Sequence, residues 1–319
     1  MNAALCKVIE TTTQGFVNAL EEEGITDAAV YLCQNDGTLM SIDYAKQFPI
    51  LTIACGPTNS IRGASYLAKI KDTMVLDVGG TTSDIGVLQD GFPRESSVAV
   101  EVGDIRTNFR MPDIISVGLG GGSIVRVDES GKISVGPDSV GYRIGEEALV
   151  FGGSTLTTTD IAVRLGLADV GDKRLVSHIE EAFAKAVQAE ISAIVEQAID
   201  KMKTSSEDVQ LVLVGGGSII IPDSIRGVAS MMKVENGSVA NAIGASIAQI
   251  SGQYEQIYIY AREPREACLK DAEAKAVKQA VLAGADSDTI ELVEVEETPL
   301  AYHPENATRL RVKVVGKMK

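Results

Sequence analysis

The chain has 319 residues and a formal net charge of −15, with 44 acidic against 29 basic residues. Its Lys and Arg residues are scattered rather than clustered, which argues against a nucleic-acid or anionic-membrane surface. With two histidines, and with Cys6, Cys33, Cys55 and Cys268 far apart in the chain, a His- or Cys-based metal centre is disfavoured. Any metal is expected to be a hard cation on carboxylates. The length suits one large domain or two lobes. No apolar run reaches the length of a membrane span, and Met1–Phe16 has no apolar signal core. Free thiols in a reducing compartment and the lack of an export signal give a cytoplasmic expectation.

In chain order, Leu5, Ile9, Phe16 and Leu20 predict a helix over Asn2–Glu22 that stops at Gly24. Ala28–Leu32 reads as a short buried strand. Gln34–Thr38 (QNDGT) is a polar turn that suits a plain connection or a ligand loop. Ile50–Ala54 reads as another strand, leading through Cys55–Ser60 into a helix over Ile61–Lys69. A glycine turn at a helix N-terminus makes either an anion site or an ordinary connection.

Met74–Leu76 and Ile85–Leu88 are two apolar runs joined by Asp77, Val78, Gly79, Gly80, Thr81, Thr82, Ser83 and Asp84. This reads as a tight hairpin. Gly79 and Gly80 are expected to take positive φ and to let the backbone approach a ligand. Turn amides of this kind make an anion-binding concavity. Asp77 and Asp84 suit a phosphate only with a divalent cation between them, and Mg²⁺ prefers carboxylate and phosphate oxygens. The stretch is therefore either a Mg-nucleotide phosphate loop or a glycine-rich hairpin without a ligand.

Ser96–Val102 continues as a strand. In Asp104–Asp113, Arg106 and Arg110 suit a carboxylate or phosphate, or else surface salt bridges. Ile115–Val127 carries a third glycine loop, Gly118–Ser123. Glu129–Gly131 is a hairpin turn and Val135–Ser139 a further loop. Thr155–Asp160 reads as a helix start capped by Thr158 or Thr159. Lys173–Met202 is the longest helical stretch. Leu211–Val214 is a buried strand running into Gly215, Gly216, Gly217 and Ser218, with a helix expected to start near Pro222. Ser238–Ile250 reads as a small-residue helix and Gln256–Tyr260 as a strand. A helix from Pro264 to Ala283 stops at Gly284. Ile290–Val295 and Arg309–Val315 are the last strands. No linker or internal repeat is visible.

A hairpin phosphate loop followed by a strand with Gly-Gly and a later Pro resembles the actin, heat-shock-chaperone and sugar-kinase superfamily. There the second element packs against the adenosine. Further stretches extend the resemblance: QNDGTLM at Gln34–Met40, CGPTNSIRGA at Cys55–Ala64, DVGGTTSD at Asp77–Asp84, GFPRE at Gly91–Glu95 and RTNFRMPD at Arg106–Asp113. GLGGGSI at Gly118–Ile124, VGPDSVGY at Val135–Tyr142, FGGSTLTTTD at Phe151–Asp160, LVGGGSIIIP at Leu213–Pro222, ANAIGA at Ala240–Ala245 and the tail around Pro299–Arg311 complete the set. Together they resemble the hydantoinase/oxoprolinase family of ATP-dependent enzymes that open five-membered cyclic amides.

The resemblance implies an α/β, ribonuclease-H-like fold of the actin/sugar-kinase ATPase type, with mixed sheets flanked by helices and the first lobe incomplete. Residues 1–70 would be the remnant of a preceding lobe, 71–255 the nucleotide-binding core and 256–319 a C-terminal α/β extension. It implies ATP and Mg²⁺. Gly79, Gly80, Thr81 and Thr82 would cradle the β- and γ-phosphates, Asp77 would hold Mg²⁺, and Asp84 would be an acid or a water-positioning group. Gly215, Gly216, Gly217 and Ser218 would pack on the adenosine. Asn59, Arg106, Asn108, Arg110 and Asp160 would face the substrate, a hydantoin, 5-oxoproline or related lactam. A second hydantoinase/oxoprolinase subunit or a homo-oligomer is implied as partner. Family members begin with another phosphate hairpin, and none stands before Asp77. A fragment, a lobe supplied from elsewhere and a non-catalytic nucleotide-binding subunit therefore stay open, as does a sugar-kinase-like phosphotransferase.

Overall fold

The computed structural model describes residues 1–96, 101–102, 105–106, 111–301, 305 and 307–319, with 101–102 and 105–106 described as backbone only. It comprises two compact units, Gly56–Ser246 and a second built from Met1–Cys55 and Ile247–Lys319.

The unit Gly56–Ser246 is built on a mixed sheet. Its strands run in the order Val228–Lys233, Val209–Val214, Thr73–Val78, Ser83–Gln89 and Phe92–Pro93, and Ile114–Val117 also pairs with Ser83–Gln89. Val209–Val214 is parallel to both of its neighbours, whereas Thr73–Val78 and Ser83–Gln89 form the antiparallel hairpin expected from the sequence. Strand side chains alternate between faces, and each face here has its own cover. Leu76, Val78, Ile85, Leu211 and Leu213 pack with Ile161 of helix Thr158–Arg164 and with Val187, Ile191 and Val195 of helix Glu181–Met202. Val75, Leu88, Val212 and Val214 pack with Ile61 and Ala64 of helix Cys55–Ala68 and with Ala240 of helix Ala240–Ser246. Burial on both faces explains why these strands read as continuous apolar runs. The last two helices touch backbone to backbone, since a Cβ on Gly63 would lie 1.9 Å from the Ala240 carbonyl oxygen.

The second unit has a five-stranded sheet in the order Tyr31–Cys33, Leu39–Ser41, Ile250–Ile259, Ala307–Gly316, Glu291–Pro299. Helix Arg265–Leu282 lays Cys268, Ala272, Ala276 and Ala280 over Ile250, Leu310, Val312 and Val314. Arg311 and Lys313 alternate with those valines and so point to the opposite face. There Lys313 pairs with Asp36 at 2.9 Å, both almost fully buried. Asp36 also accepts from the Thr38 amide at 2.9 Å, the Thr38 hydroxyl at 2.6 Å and Gln253 at 3.2 Å. The polar turn Gln34–Thr38 is thus anchored to the sheet through this buried ion pair. Helix Asn2–Glu22 packs against helix Ile42–Gln47 and the turn Pro49–Thr52, with Thr13 as its buried residue.

Several sequence expectations are corrected. Ile50–Ala54 is not a strand: Pro49 opens a 3₁₀ turn over Pro49–Thr52. Val135–Ser139 is not a loop but belongs to strand Ile133–Ser139, whose irregular register with Ser123–Val127 absorbs its Gly-Pro pair. No helix starts at Pro222. Gly216–Ile220 is a 3₁₀ turn that plugs Ile220 and Ile221 into the core, and the chain then extends as Val228–Lys233. The long helix begins at Glu181, after a short 3₁₀ turn over Lys173–Val176 capped by Asp172. The stretch Ser238–Ile250 splits into helix Ala240–Ser246 and the start of strand Ile250–Ile259. Of the strand expected over Ser96–Val102, residues 97–100 lie outside the described residues, and Glu101–Val102 pairs with Ile105–Arg106.

Burial alone would push the Asp36 carboxyl up, but the Lys313 charge and the Thr38 hydrogen bonds outweigh it and hold it below its ordinary value of 3.8. A lowered folded value means that the contribution is complete above 3.8 and is lost as pH falls through the lower folded value. Asp36→Asn, which leaves Lys313 buried without its counter-charge, is expected to lower stability by about 3–5 kcal/mol at neutral pH. Denaturant titrations of both proteins should show that gap narrowing as the pH is taken below 3.8.

Candidate functional site

The hairpin turn projects from the end of the sheet, with Gly80, Thr81 and Thr82 exposed. The Gly79 amide donates to the Thr82 carbonyl at 2.9 Å and closes the turn. Neither Gly79 nor Gly80 takes positive φ, so the expected left-handed backbone is absent. At Gly79 the constraint is steric, since a Cβ there would lie 3.2 Å from the Thr82 carbonyl oxygen. A Cβ on Gly80 would meet nothing of the protein within 4 Å, so this surface is open to a ligand.

The direction of the turn is set from behind. The Gly121 amide donates to the Gly79 carbonyl at 3.0 Å, and the Gly122 amide to the Gly80 carbonyl at 2.7 Å. With those carbonyls turned into the protein, the amides of Gly80, Thr81 and Thr82 donate to no group among the described residues. Gly120 has to be glycine because a Cβ there would lie 2.6 Å from the Thr81 nitrogen. The third glycine loop therefore supports the first. It is tied down in turn by the Thr158 and Thr159 hydroxyls, which donate to the Gly121 carbonyl at 2.8 and 2.7 Å. The Ser83 hydroxyl donates to the Leu119 carbonyl at 2.6 Å.

Asp160 belongs to this scaffold, which corrects its placement on the substrate side. It is completely buried and accepts from the Val150 amide at 2.7 Å and from the Thr157 amide and hydroxyl at 2.7 and 2.8 Å. The helix cap is consequently Thr157, in a reciprocal capping box with Asp160, rather than Thr158 or Thr159.

Gly215–Ser218 flanks the same turn. Gly215 has φ of +87°, and a Cβ there would lie 2.2 Å from the Val78 carbonyl oxygen and 2.3 Å from Asp77 Oδ1. A Cβ on Gly217 would lie 2.1 Å from the Gly79 carbonyl oxygen. Gly216 is exposed and unobstructed, and Ser218 is half-buried. Both glycine elements singled out in the sequence thus meet at one edge of one unit.

Asp77 and Asp84 are directly opposed across the hairpin, and Asp84 is directly opposed to Ser116 on the next strand. Both acids are half-buried. Burial pushes the Asp77 carboxyl above its ordinary value, while the Ser60 side chain favours its ionised form. Burial also raises Asp84, opposed by its hydrogen bond from Ser116 and reinforced by the neighbouring Asp77 charge. Asn59, on helix Cys55–Ala68 beside Ser60, is 5 % exposed, and its Oδ1 has no hydrogen-bond partner among the described residues. Arg106 is described only as backbone in strand Ile105–Arg106, and Asn108 and Arg110 lie outside the described residues. Ser60, Ser116 and the supporting role of Gly120–Gly122 were missed in the sequence. The register of three strands was needed to find Ser116.

The groups present fit a magnesium-bound nucleotide. Outward amides and the hydroxyls of Thr81 and Thr82 suit phosphate oxygens. Two half-buried carboxylates, with no Lys or Arg pairing to either among the described residues, suit a hard divalent cation. Among the described residues no cluster of three or more His, Cys, Asp or Glu stands here, so such a cation would draw its other ligands from phosphate and water.

The chain is similar to several known proteins. The chain is 27% identical over 290 residues to the acetophenone carboxylase gamma subunit of Aromatoleum aromaticum, covering 80% of this chain and 39% of that one. It is 28% identical over 176 residues to the caprolactamase subunit alpha of Pseudomonas jessenii, covering 53% and 25%. Among solved structures, nucleotide-free acetone carboxylase superposes with a TM-score of 0.69 at 18% identity, covering 98% of this chain and 56% of that chain. The ATP-dependent caprolactamase from Pseudomonas jessenii superposes at 0.67 with 17% identity, covering 100% and 57%. The chain spans about two fifths or less of these curated relatives and just over half of the solved chains. The superpositions show the expected actin-like ATPase fold. The family model described as hydantoinase/oxoprolinase matches residues 1–172, and the chain belongs to the hydantoinase/oxoprolinase family.

Proposed function

We propose that this chain carries the nucleotide site of an ATP-dependent hydrolase that opens a five-membered cyclic amide, a hydantoin, 5-oxoproline or similar lactam. The observation that carries the reading is the turn Gly79–Thr82, whose Gly79 and Gly80 carbonyls accept from the Gly121 and Gly122 amides, while the amides of Gly80, Thr81 and Thr82 have no acceptor among the described residues. An amide carbonyl is a poor electrophile. A bound nucleotide, its charge neutralised by Mg²⁺, would supply a phosphoryl group to the amide oxygen, removing the amide resonance so that water can add to the carbon. The C–N bond then breaks with the ring nitrogen leaving, and phosphate is released from the acyl phosphate as it hydrolyses to the acid. Catalysis of such a transfer is mostly positioning and charge neutralisation.

In this reading Gly80, Thr81 and Thr82 bind the β- and γ-phosphates through backbone amides and hydroxyls, with Gly79 closing the turn. Asp77 holds Mg²⁺, and Asp84 orients water beside it. Gly215, Gly216, Gly217 and Ser218 form the wall for the adenosine, their missing side chains letting the base and ribose approach the backbone. Asn59 offers its Oδ1, without a partner among the described residues, on the substrate side. The arginine-rich stretch with Arg106, Asn108 and Arg110 is proposed to contribute to the same side. The subunit names of the relatives support assembly with a further subunit.

The carboxylase relatives favour a second reading, in which the acceptor oxygen belongs to a ketone rather than an amide. Product analysis separates the two. Ring-opened acid with free phosphate marks the lactam, and a carboxylated ketone marks the alternative.

Calorimetric titration of Asp77→Asn is expected to weaken Mg-ATP about tenfold or more while leaving metal-free ATP nearly unchanged. Equal weakening of both would remove Asp77 from the cation. A pair of glycine substitutions separates support from contact. Gly217→Ala forces a methyl against the Gly79 carbonyl and should lower stability by about 1–3 kcal/mol in thermal or denaturant melts. Gly80→Ala should melt with the parent protein yet bind nucleotide more weakly, because its new methyl fills only the space open to the ligand.

A further inference from the structure

Asp77, Asp84 and Ser116 form one cross-strand row. Directly opposed residues of antiparallel strands put their side chains on the same face, about 4.5–5.5 Å apart at Cβ. Two carboxylates so placed repel each other, and no Lys or Arg neutralises either among the described residues. Asp84 instead meets a serine. Ser116, exposed on strand Ile114–Val117, donates to Asp84. Asp77 lies against the Gly215 backbone, where even a methyl group would collide with its Oδ1. A single hydroxyl on a carboxylate restricts the rotation of that group and leaves its remaining lone pairs for another partner. The serine brings no positive charge of its own, so the pair of acids keeps its attraction for a cation.

We propose that Ser116 is a positioning residue that holds Asp84 in the orientation in which it receives the water of a divalent cation bound beside it. This rests on the reading of the turn as a Mg-nucleotide site. It adds a hydroxyl that acts on the carboxylate rather than on the ligand. Groups hydrogen-bonded to metal-ligating side chains orient them and tune their affinity.

The test is titration with Mn²⁺ in the presence of ADP, read by the electron paramagnetic resonance of free Mn²⁺, beside calorimetry with ADP alone. Ser116→Ala should weaken Mn²⁺ by about 10–100-fold while ADP without metal binds within about twofold of the parent. Ser116→Thr keeps the hydroxyl at an exposed position and should restore Mn²⁺ affinity. Mn²⁺ affinity unchanged in the alanine variant, with the parent protein binding Mn²⁺ normally, would overturn the positioning role alone. Failure of the threonine to restore it would do the same. Absence of ADP-dependent Mn²⁺ binding in the parent protein would overturn both this role and the nucleotide site.

Discussion

The candidate site depends on two backbone hydrogen bonds, from the Gly121 and Gly122 amides to the Gly79 and Gly80 carbonyls. A peptide group turned one way presents a carbonyl dipole, and turned the other way an amide. By holding both carbonyls inward, these bonds decide which end of the dipole faces outward at the tip of the hairpin. The rest of the unit is arranged around keeping them. Thr158 and Thr159 hold the donor loop, Thr157 and Asp160 cap the helix that carries those threonines, and that helix is buried in the core with Ile161. A change at Asp160, far from the tip in sequence, therefore acts on the same turn.

Much of this was legible in the sequence. The hairpin is written as two apolar runs around a polar, glycine-rich centre, and the second glycine element as a buried strand entering three glycines. Periodicity placed helices Asn2–Glu22 and Arg265–Leu282 and the last two strands close to their observed positions. Less legible was the meaning of individual glycines. Gly79 and Gly80 look like positive-φ residues and are not, whereas Gly215 is one. What sets each apart is a neighbour distant in sequence, Gly121 and Gly122 for the first two and Asp77 with Val78 for the third.

The failures share a physical cause. Ile50–Ala54 reads as a strand and Val135–Ser139 as a loop because local composition does not show which backbone partners are available. The resemblance implies a substrate role for Asp160, but reciprocal capping engages its oxygens, which only the fold reveals. Nor does sequence order show that Leu39 pairs with Ile250, which joins both ends of the chain in one sheet. The ion pair of Asp36 and Lys313 is equally hidden, its members separated by most of the chain.

The inward-held carbonyls have a consequence for how the protein tolerates sequence drift. A turn that recognises anions through main-chain amides presents the same donors whatever side chains it bears, so Thr81 and Thr82 can vary with only their hydroxyls at stake. The stringent positions lie one layer back, at Gly120, Gly215 and Gly217, where a single methyl would press on the backbone that forms the turn. The informational content of the site is thus displaced from the residues that face the ligand to those that face the turn. A mutational scan of this unit would trace the outline of the support rather than of the ligand.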